Sequence, residues 1–545
     1  MLGDATRRDR RAPNAPAASA YFEAGGRPKV RMGDDEVRVG DDELRIAAPA
    51  GTFEGCAMDG HVAFYAIPYA QPPVGSLRYA PPVPLEPLSG VQSAQQPGPA
   101  PPQPPVSTLS AVPGQDVQPL DESCLHLNVY VPSQASRTSD APLPVMVWIF
   151  GGGFFLGCNH QPLYDPRALV ERGQVIVVIL NYRLGPLASL DLASLGIEEQ
   201  AGLNLHLQDQ LCALGWVQRN IAAFGGAADN VTVFGESAGG TAVASLLGTA
   251  GIGSLVKRAI VQSCSSNHLV TEVQRADLAQ RLGKRIKLAP GDLAGLRKIN
   301  PKRLSWAAFA VMLQSYETIR IPWAPTVDGS VLPTHPLEAL RAGNAAGVEL
   351  MIGCNRDEWR LWERFKVWNR WLGDGALSKL LARKLGDAEL AARVIPVYRE
   401  ARAGVLPDRN YDLLCAVETD RVYRNSALSL AEAALGHAAS VRMYRFDWQS
   451  PDASLGCCHA MELPFVFGTV DVKGGKKFLG AGPEVQQLSH RMIDAWTGFA
   501  RDGNPGHEGI GDWPVYDVQR RATMLLGEAC GVVDDPMSAE RMVWG

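Results

Sequence analysis

A serine with glycine two residues to either side, in Gly235-Glu236-Ser237-Ala238-Gly239, is where this sequence could do covalent chemistry. Residues 231–234 (Val-Thr-Val-Phe) are β-branched or aromatic and predict a short buried strand, while residues 241–247 predict an apolar helix. Strand, sharp turn and helix together raise a serine hydroxyl at the apex of the turn, the geometry of a nucleophile elbow. The glycines answer a steric demand. So tight a turn strains the serine backbone, and a side chain at either flanking position would strike its neighbours. The following helix turns its first free N–H groups toward the serine and favours negative charge there. This spacing suits attack of the hydroxyl on a carbonyl carbon, through a covalent acyl intermediate.

A serine hydroxyl needs a base to take its proton, and behind this kind of elbow the chain order is nucleophile, acid, histidine. Of ten histidines, His268, His335, His437, His459, His490 and His507 follow Ser237. His459 is favoured because its segment, residues 456–465, comes just after a predicted strand at residues 441–446, on the edge of the sheet that carries the elbow. His437 precedes that strand, His490 falls in an apparent helix, and His507 falls in a Gly/Pro loop. The acid should hang from a strand end between nucleophile and base. Residues 348–352 run into Gly353-Cys354-Asn355-Arg356-Asp357-Glu358, which offers both Asp357 and Glu358, and spacing does not choose between them. Asp328 is a rival, although Asp328-Gly329 reads more simply as a turn. An oxyanion needs donors, and Gly151-Gly152-Gly153 after an apolar strand lets backbone amides approach a carbonyl.

The elements that must position these residues alternate. Residues 127–132, 145–150, 175–180, 256–262, 348–352 and 441–446 read as strands, several of them apolar throughout, as in strands buried on both faces. Residues 208–223 carry apolar positions at helical spacing. The fold class expected is α/β, a mostly parallel doubly wound sheet with ligands at the strand C-terminal ends. Residues 1–45 are expected to be an N-terminal extension, partly disordered, with an edge hairpin between residues 37–39 and 44–46. Residues 46–545 form one domain, with helical insertions at about 270–320 and 360–435 over that edge. The Pro-rich stretch 97–119 is assigned to a surface loop.

Composition excludes several classes. The 545 residues are 46% hydrophobic and 20% charged, and the net charge of −5 gives no reason to expect nucleic acid or an acidic membrane as partner. No apolar run reaches the length of a membrane span. Arg7, Arg8, Arg10 and Arg11 are not followed by an apolar stretch, so no signal peptide is recognised and a cytoplasmic location is expected. The ten cysteines show no zinc-type spacing beside histidines, and most or all are expected to be reduced.

Taken together, the motifs resemble the type B carboxylesterase/cholinesterase family of α/β-hydrolases. The likeness runs from about residue 45 to the end. It includes Ala66-Ile67-Pro68-Tyr69-Ala70, residues 122–130, 147–154, Asn181-Tyr182-Arg183-Leu184-Gly185, residues 216–226, the elbow, Asn355-Arg356-Asp357-Glu358, and His459 with residues 462–467. The resemblance implies a serine esterase with Ser237 as nucleophile, His459 as base and Glu358 rather than Asp357 as acid. It implies oxyanion donors at Gly152, Gly153 and Ala238, and a serine near the triad at Ser263, which a buried structural hydroxyl explains equally well. Glu236 adjoins the nucleophile. No cofactor or metal is implied. The expected partner is a small to medium, largely apolar ester, and the chain is expected to be a monomer or weak homo-oligomer. Amide or carbamate hydrolysis by the same residues is the alternative, and an inactive neuroligin-like binding protein is a distant one.

Departures from the family pattern are Phe150, where many bacterial members have histidine, and Cys264, where glycine is usual. Cys124 lacks the partner that would complete a disulfide of secreted members, and residues 112–122 lack the tryptophan that binds choline esters. Trp359, Trp362, Phe365, Trp368 and Trp371 either line the substrate gorge or pack helices against the insertions.

Overall fold

Eleven strands form one sheet in the computed structural model, which describes residues 44–104, 112–115, 119–198, 202–315 and 321–545. These lie within a single compact unit, residues 39–545. The strands are β1 Arg45–Ala48, β2 Gly51–Glu54, β3 Cys56–Ala57, β4 His61–Pro68, β5 Val91–Ser93, β6 His126–Pro132, β7 Leu143–Ile149, β8 Ile176–Leu180, β9 Gly226–Glu236, β10 Arg258–Gln262, β11 Glu349–Asn355, β12 Ser440–Phe446, β13 Ala522–Leu526 and β14 Gly531–Asp534. The large sheet has the order β14-β13-β12-β11-β10-β9-β7-β8-β6-β4-β3, and β1, β2 and β5 make a separate small sheet. From β8 to β13 every neighbouring pair is parallel, while the pairs at both outer ends are antiparallel.

The parallel centre follows from the sequence. Apolar side chains, mostly valine, isoleucine and leucine with Pro144, Met146 and Trp148 among them, fill β7 and β8 without alternation and are all buried, because helices cover both faces. The helix Leu205–Asn220 and the long C-terminal helix Pro483–Asp502 supply part of that cover. The register then fixes the functional edge. Ile149 pairs with Gly235, Gln262 with both Glu236 and Gly353, and Asn355 with Phe446. The turns that leave β7, β9, β10, β11 and β12 therefore open on the same side of the sheet.

The insertions are helical. Glu272–Ile286, Leu293–Lys298 and Pro301–Ser315 fill the first. Asp374–Leu385, Ala388–Arg402, Asn410–Thr419 and Asn425–Ala434 fill the second, with a π-helical turn at Asp420–Arg424. Leu377, Leu381, Val394, Tyr398, Leu413 and Val417 give the second insertion its own apolar core, apart from that of the sheet.

One expectation needs correction, and another falls outside the described residues. The hairpin expected between residues 37–39 and 44–46 involves residues 37–39, which lie outside the described residues; β1 pairs with β2. The stretch expected as a surface loop is buried at residues 100–104. Its backbone is satisfied inside: the Pro99 carbonyl accepts from Asn181 Nδ2 at 3.1 Å, and Gln103 exchanges two hydrogen bonds with Gly157. Proline makes this burial cheaper because it brings no N–H that needs a partner. Residues 105–111 and 116–118 lie outside the described residues.

None of the ten cysteines forms a disulfide. Among the described residues, no helix is long and apolar enough to cross a membrane, and no cluster of His, Cys, Asp and Glu could hold a metal ion.

Candidate active site

The elbow has the strain its sequence predicts. Ser237 sits between β9 and the helix Ala238–Leu247 at φ 58° and ψ −119°, a region that non-glycine residues rarely adopt. Two anchors hold it there: Ser237 N–H donates to the Gln262 carbonyl at 3.0 Å, and Thr241 N–H donates to the Ser237 carbonyl at 2.8 Å. A Cβ on Gly239 would lie 2.0 Å from the Ile149 carbonyl oxygen, which is backbone at the centre of the sheet and cannot yield. Gly239→Ala is therefore expected to destabilise the protein by about 3 kcal/mol or more, read as a lowered midpoint of thermal unfolding.

His459 and Glu358 are brought together by backbone pairing between two turns. Arg356 N–H donates to Phe446 O, Asp357 N–H to Cys457 O, and His459 N–H to Glu358 O at 3.3 Å. The loop after β12 is thus stitched to the turn after β11. His459 Nδ1–H donates to Glu358 Oε2 at 2.5 Å, and the other carboxylate oxygen accepts from Asn355 N–H at 2.8 Å. Both side chains are buried. Asp357 turns elsewhere, into Arg356 at 3.1 Å, Arg360 at 3.8 Å and Arg402 at 4.0 Å. Burial alone would raise its pKa, but these guanidinium groups outweigh it and hold the carboxyl below its usual range.

Nε2 of His459 is not hydrogen-bonded to the Ser237 hydroxyl. It stands 3.1 Å from Glu236 Oε1, an ion-pair distance, and neither atom has a hydrogen-bond partner. Glu236 and Ser237 adjoin the glycine loop together, since a Cβ on Gly151 would lie 2.9 Å from Glu236 Oε2 and 3.2 Å from Ser237 Cβ. Catalytic hydrogen bonds are often unformed before substrate arrives.

Charge is concentrated around the imidazole. Burial lowers the His459 pKa, but Glu236, Glu358 and Glu462 outweigh it and push it up to about 9. Burial raises Glu236 well above the usual carboxylate value, against the opposing pull of His459. Burial, with Glu358 adding to it, pushes Glu462 up to about 7.

Gly152 and Gly153 follow β7 with positive φ, and Ala238 opens the helix after the elbow. Among the described residues, none of their three N–H groups donates to a protein acceptor. The space beside Gly153 is open, with no atom within 4 Å of where a Cβ would stand. Phe150 stacks on Tyr182 at 4.4 Å, and Tyr182 Oη donates to the Phe150 carbonyl at 2.7 Å, so an aromatic pair braces the glycine loop. Ser263 is buried at φ 48°, and its hydroxyl has no hydrogen-bond partner.

The roles of Glu462 and Tyr423 escaped the sequence reading, whereas Trp362 was among the aromatics it offered for the gorge. Glu462 accepts from Gln262 Nε2 at 3.1 Å and Asn355 Nδ2 at 2.7 Å, and Trp496 Nε1–H donates to Gln262 Oε1 at 3.0 Å. The spacing of Glu462, three residues after His459, was the available signal. Trp362 and Tyr423 bracket the imidazole at 5.5 and 4.8 Å, and Trp362 Nε1–H donates to Tyr423 Oη at 3.2 Å. The aromatic stretch therefore divides. Trp359 is buried and Trp362 flanks the histidine, while Phe365, Trp368 and Trp371 are exposed.

The sheet, the elbow at its C-terminal edge and the helical insertions above it define an α/β-hydrolase. A model of the carboxylesterase family matches residues 42–543. The chain belongs to this family and is a carboxylic-ester hydrolase. It is 37% identical to the para-nitrobenzyl esterase of Bacillus subtilis (strain 168), over 91% of this chain and 97% of that protein. It is 32% identical to the phenmedipham hydrolase of Pseudarthrobacter oxydans, over 88% of this chain and 94% of that protein. The solved structure of a thermophilic PNB esterase superposes with a TM-score of 0.80 at 35% identity, covering 92% of this chain and all of that one.

Proposed function

We propose that Ser237, His459 and Glu358 are the catalytic triad of this esterase, acting on small to medium, largely apolar esters. The supporting observation is the 2.5 Å His459–Glu358 hydrogen bond, set beside a serine at the strained apex of the elbow. The imidazole turns its Nε2 from Glu236 to the Ser237 hydroxyl and takes its proton as the oxygen attacks the ester carbonyl. The developing oxyanion is received by the N–H groups of Gly152, Gly153 and Ala238. His459 then protonates the departing alcohol, and water hydrolyses the acyl-enzyme by the reverse sequence. Glu358 holds the ring in the required tautomer and stabilises its charged form. Ser263 and Glu236 support this group from beside it.

The test is covalent. A fluorophosphonate probe is expected to add to Ser237, identified by peptide mass, and Ser237→Ala is expected to abolish labelling. Labelling that persists in the alanine variant overturns the assignment.

The pH profile follows from the charge around the ring. Only the neutral imidazole accepts the serine proton, and a raised pKa keeps it protonated at lower pH. We expect kcat/KM to climb with pH through a midpoint above the ordinary 6.5 and toward about 9. Glu236→Gln removes one of the carboxylates that hold the proton on, so the midpoint moves down. An unchanged midpoint in that variant contradicts this account of the site.

Carbamate hydrolysis is a second reading, supported by the likeness to phenmedipham hydrolase. A carbamate carbonyl could be attacked by the same serine. In this reading residues 46–545 act as one catalytic domain preceded by an N-terminal extension. The chain works as a monomer or weak homo-oligomer in the cytoplasm, with a small molecule and not nucleic acid as its partner. The absence of disulfides among its cysteines supports that location.

A further inference from the structure

Glu540 lies on the short helix Ser538–Met542 near the end of the chain, yet it is almost wholly buried. Its Oε1 accepts from Arg402 Nη1 at 3.0 Å, and its Oε2 lies 3.6 Å from Arg424 Nη1. Each arginine leads back to the reaction centre. Arg424 ends the π-helical turn Asp420–Arg424, where it pairs with Asp420 at 3.0 Å and donates through Nη2 to the Met537 carbonyl at 2.9 Å. The residue before it, Tyr423, packs its ring on His459 and accepts the Trp362 indole N–H. Arg402 reaches in the other direction, to Asp357, the immediate neighbour of Glu358. Two further contacts tie the end of the chain to the same turn. Tyr398 Oη donates to Asp420 and accepts from Trp544 Nε1 at 2.7 Å.

A π-turn places its side chains where an α-helix would not, and such turns cluster at functional sites. This one would relax toward ordinary helix without its charges, since Asp420 and Arg424 are both buried and need partners to remain so. Relaxation would rotate Tyr423 relative to the imidazole.

We propose that Glu540 is a positioning residue for catalysis. Its single carboxylate, from the last helix, braces both the aromatic bracket over His459 and the turn that carries Glu358. This rests on the triad reading above. Glu540 touches no reacting atom, and it acts through Arg424 and Tyr423 on one side and through Arg402 and Asp357 on the other.

The experiment is a kinetic cycle on the full chain. Glu540→Gln keeps the shape and removes the charge, and it is expected to lower kcat roughly tenfold or more with KM little changed, measured well below the unfolding midpoint. Arg541→Gln, on the same helix but paired outward with Asp535 at 2.8 Å, is expected to leave kcat as it was. Tyr423→Ala is expected to lower kcat as well, and adding Glu540→Gln to it is expected to cost clearly less than in the wild type. Wild-type kcat in Glu540→Gln overturns the proposal, as does full additivity with Tyr423→Ala, which marks a merely structural role. Failure of the triad reading is seen separately, as fluorophosphonate labelling that survives Ser237→Ala.

Discussion

Replacing Ser237 with alanine is expected to lower kcat by about a millionfold while leaving the fold intact. The hydroxyl is half-buried and makes no hydrogen bond in the protein, so its removal leaves no unsatisfied group behind. The alanine keeps a Cβ where one already stands, and the strained φ of 58° is set by the anchors to Gln262 and Thr241, not by the side chain. What disappears is the nucleophile alone. Because the proposed triad makes base and nucleophile act as one unit, His459→Ala is expected to cost a similar factor, and the double variant little more than either single one. The measurement is burst and steady-state hydrolysis of a p-nitrophenyl ester, with thermal unfolding as the control. Substantial turnover by Ser237→Ala would remove the basis for the triad.

Glu358→Gln carries the second large effect, a loss of about ten-thousandfold in kcat. An amide at this position offers its NH2 or its carbonyl to His459 Nδ1, and the first choice forces the wrong tautomer on the ring. The adjacent acid gives the contrast. Asp357→Asn leaves Arg356, Arg360 and Arg402 facing a neutral group in a buried setting. Its expected cost is about 3 kcal/mol of stability, with a far smaller loss of kcat. Two neighbouring carboxylates are thus separable by experiment, one through rate and the other through the unfolding midpoint. Equal kinetic losses in both variants would contradict the geometry at the turn.

The centre of the fold was legible because its pattern is uninterrupted. β7 and β8 are apolar at every position, and that leaves a buried parallel strand as the simplest reading. The elbow was legible for a steric reason, since the close approach of Gly239 to Ile149 leaves no room for any other residue. Which of two carboxylates faces His459 was not legible from spacing. Asp357 and Glu358 leave the same strand end, and what separates them is the partner each meets in the loop after β12, the Cys457 N–H for Asp357 and the imidazole of His459 for Glu358, far along the chain. Only the family resemblance pointed to Glu358. The buried stretch at residues 100–104 was misjudged because proline density suggests solvent, whereas the Ala100 carbonyl accepts from Asp121 N–H, the Pro101 carbonyl from Gln103 Nε2, and the Gln103 side chain is matched by Gly157. The bracket of Trp362 and Tyr423 joins residues sixty-one apart, and the π-turn that aims Tyr423 depends on ion pairs that leave no periodic trace.

The second insertion owns a core that the sheet does not share, built around Leu377, Val394, Tyr398 and Leu413. Such a separately packed unit can open by itself at a free energy below that of the whole chain. Its opening would carry away Arg402 and Tyr398, two of the anchors for the end of the chain. On heating, activity is therefore expected to fall before the strands melt, with an ester assay and circular dichroism followed over the same temperatures as the check.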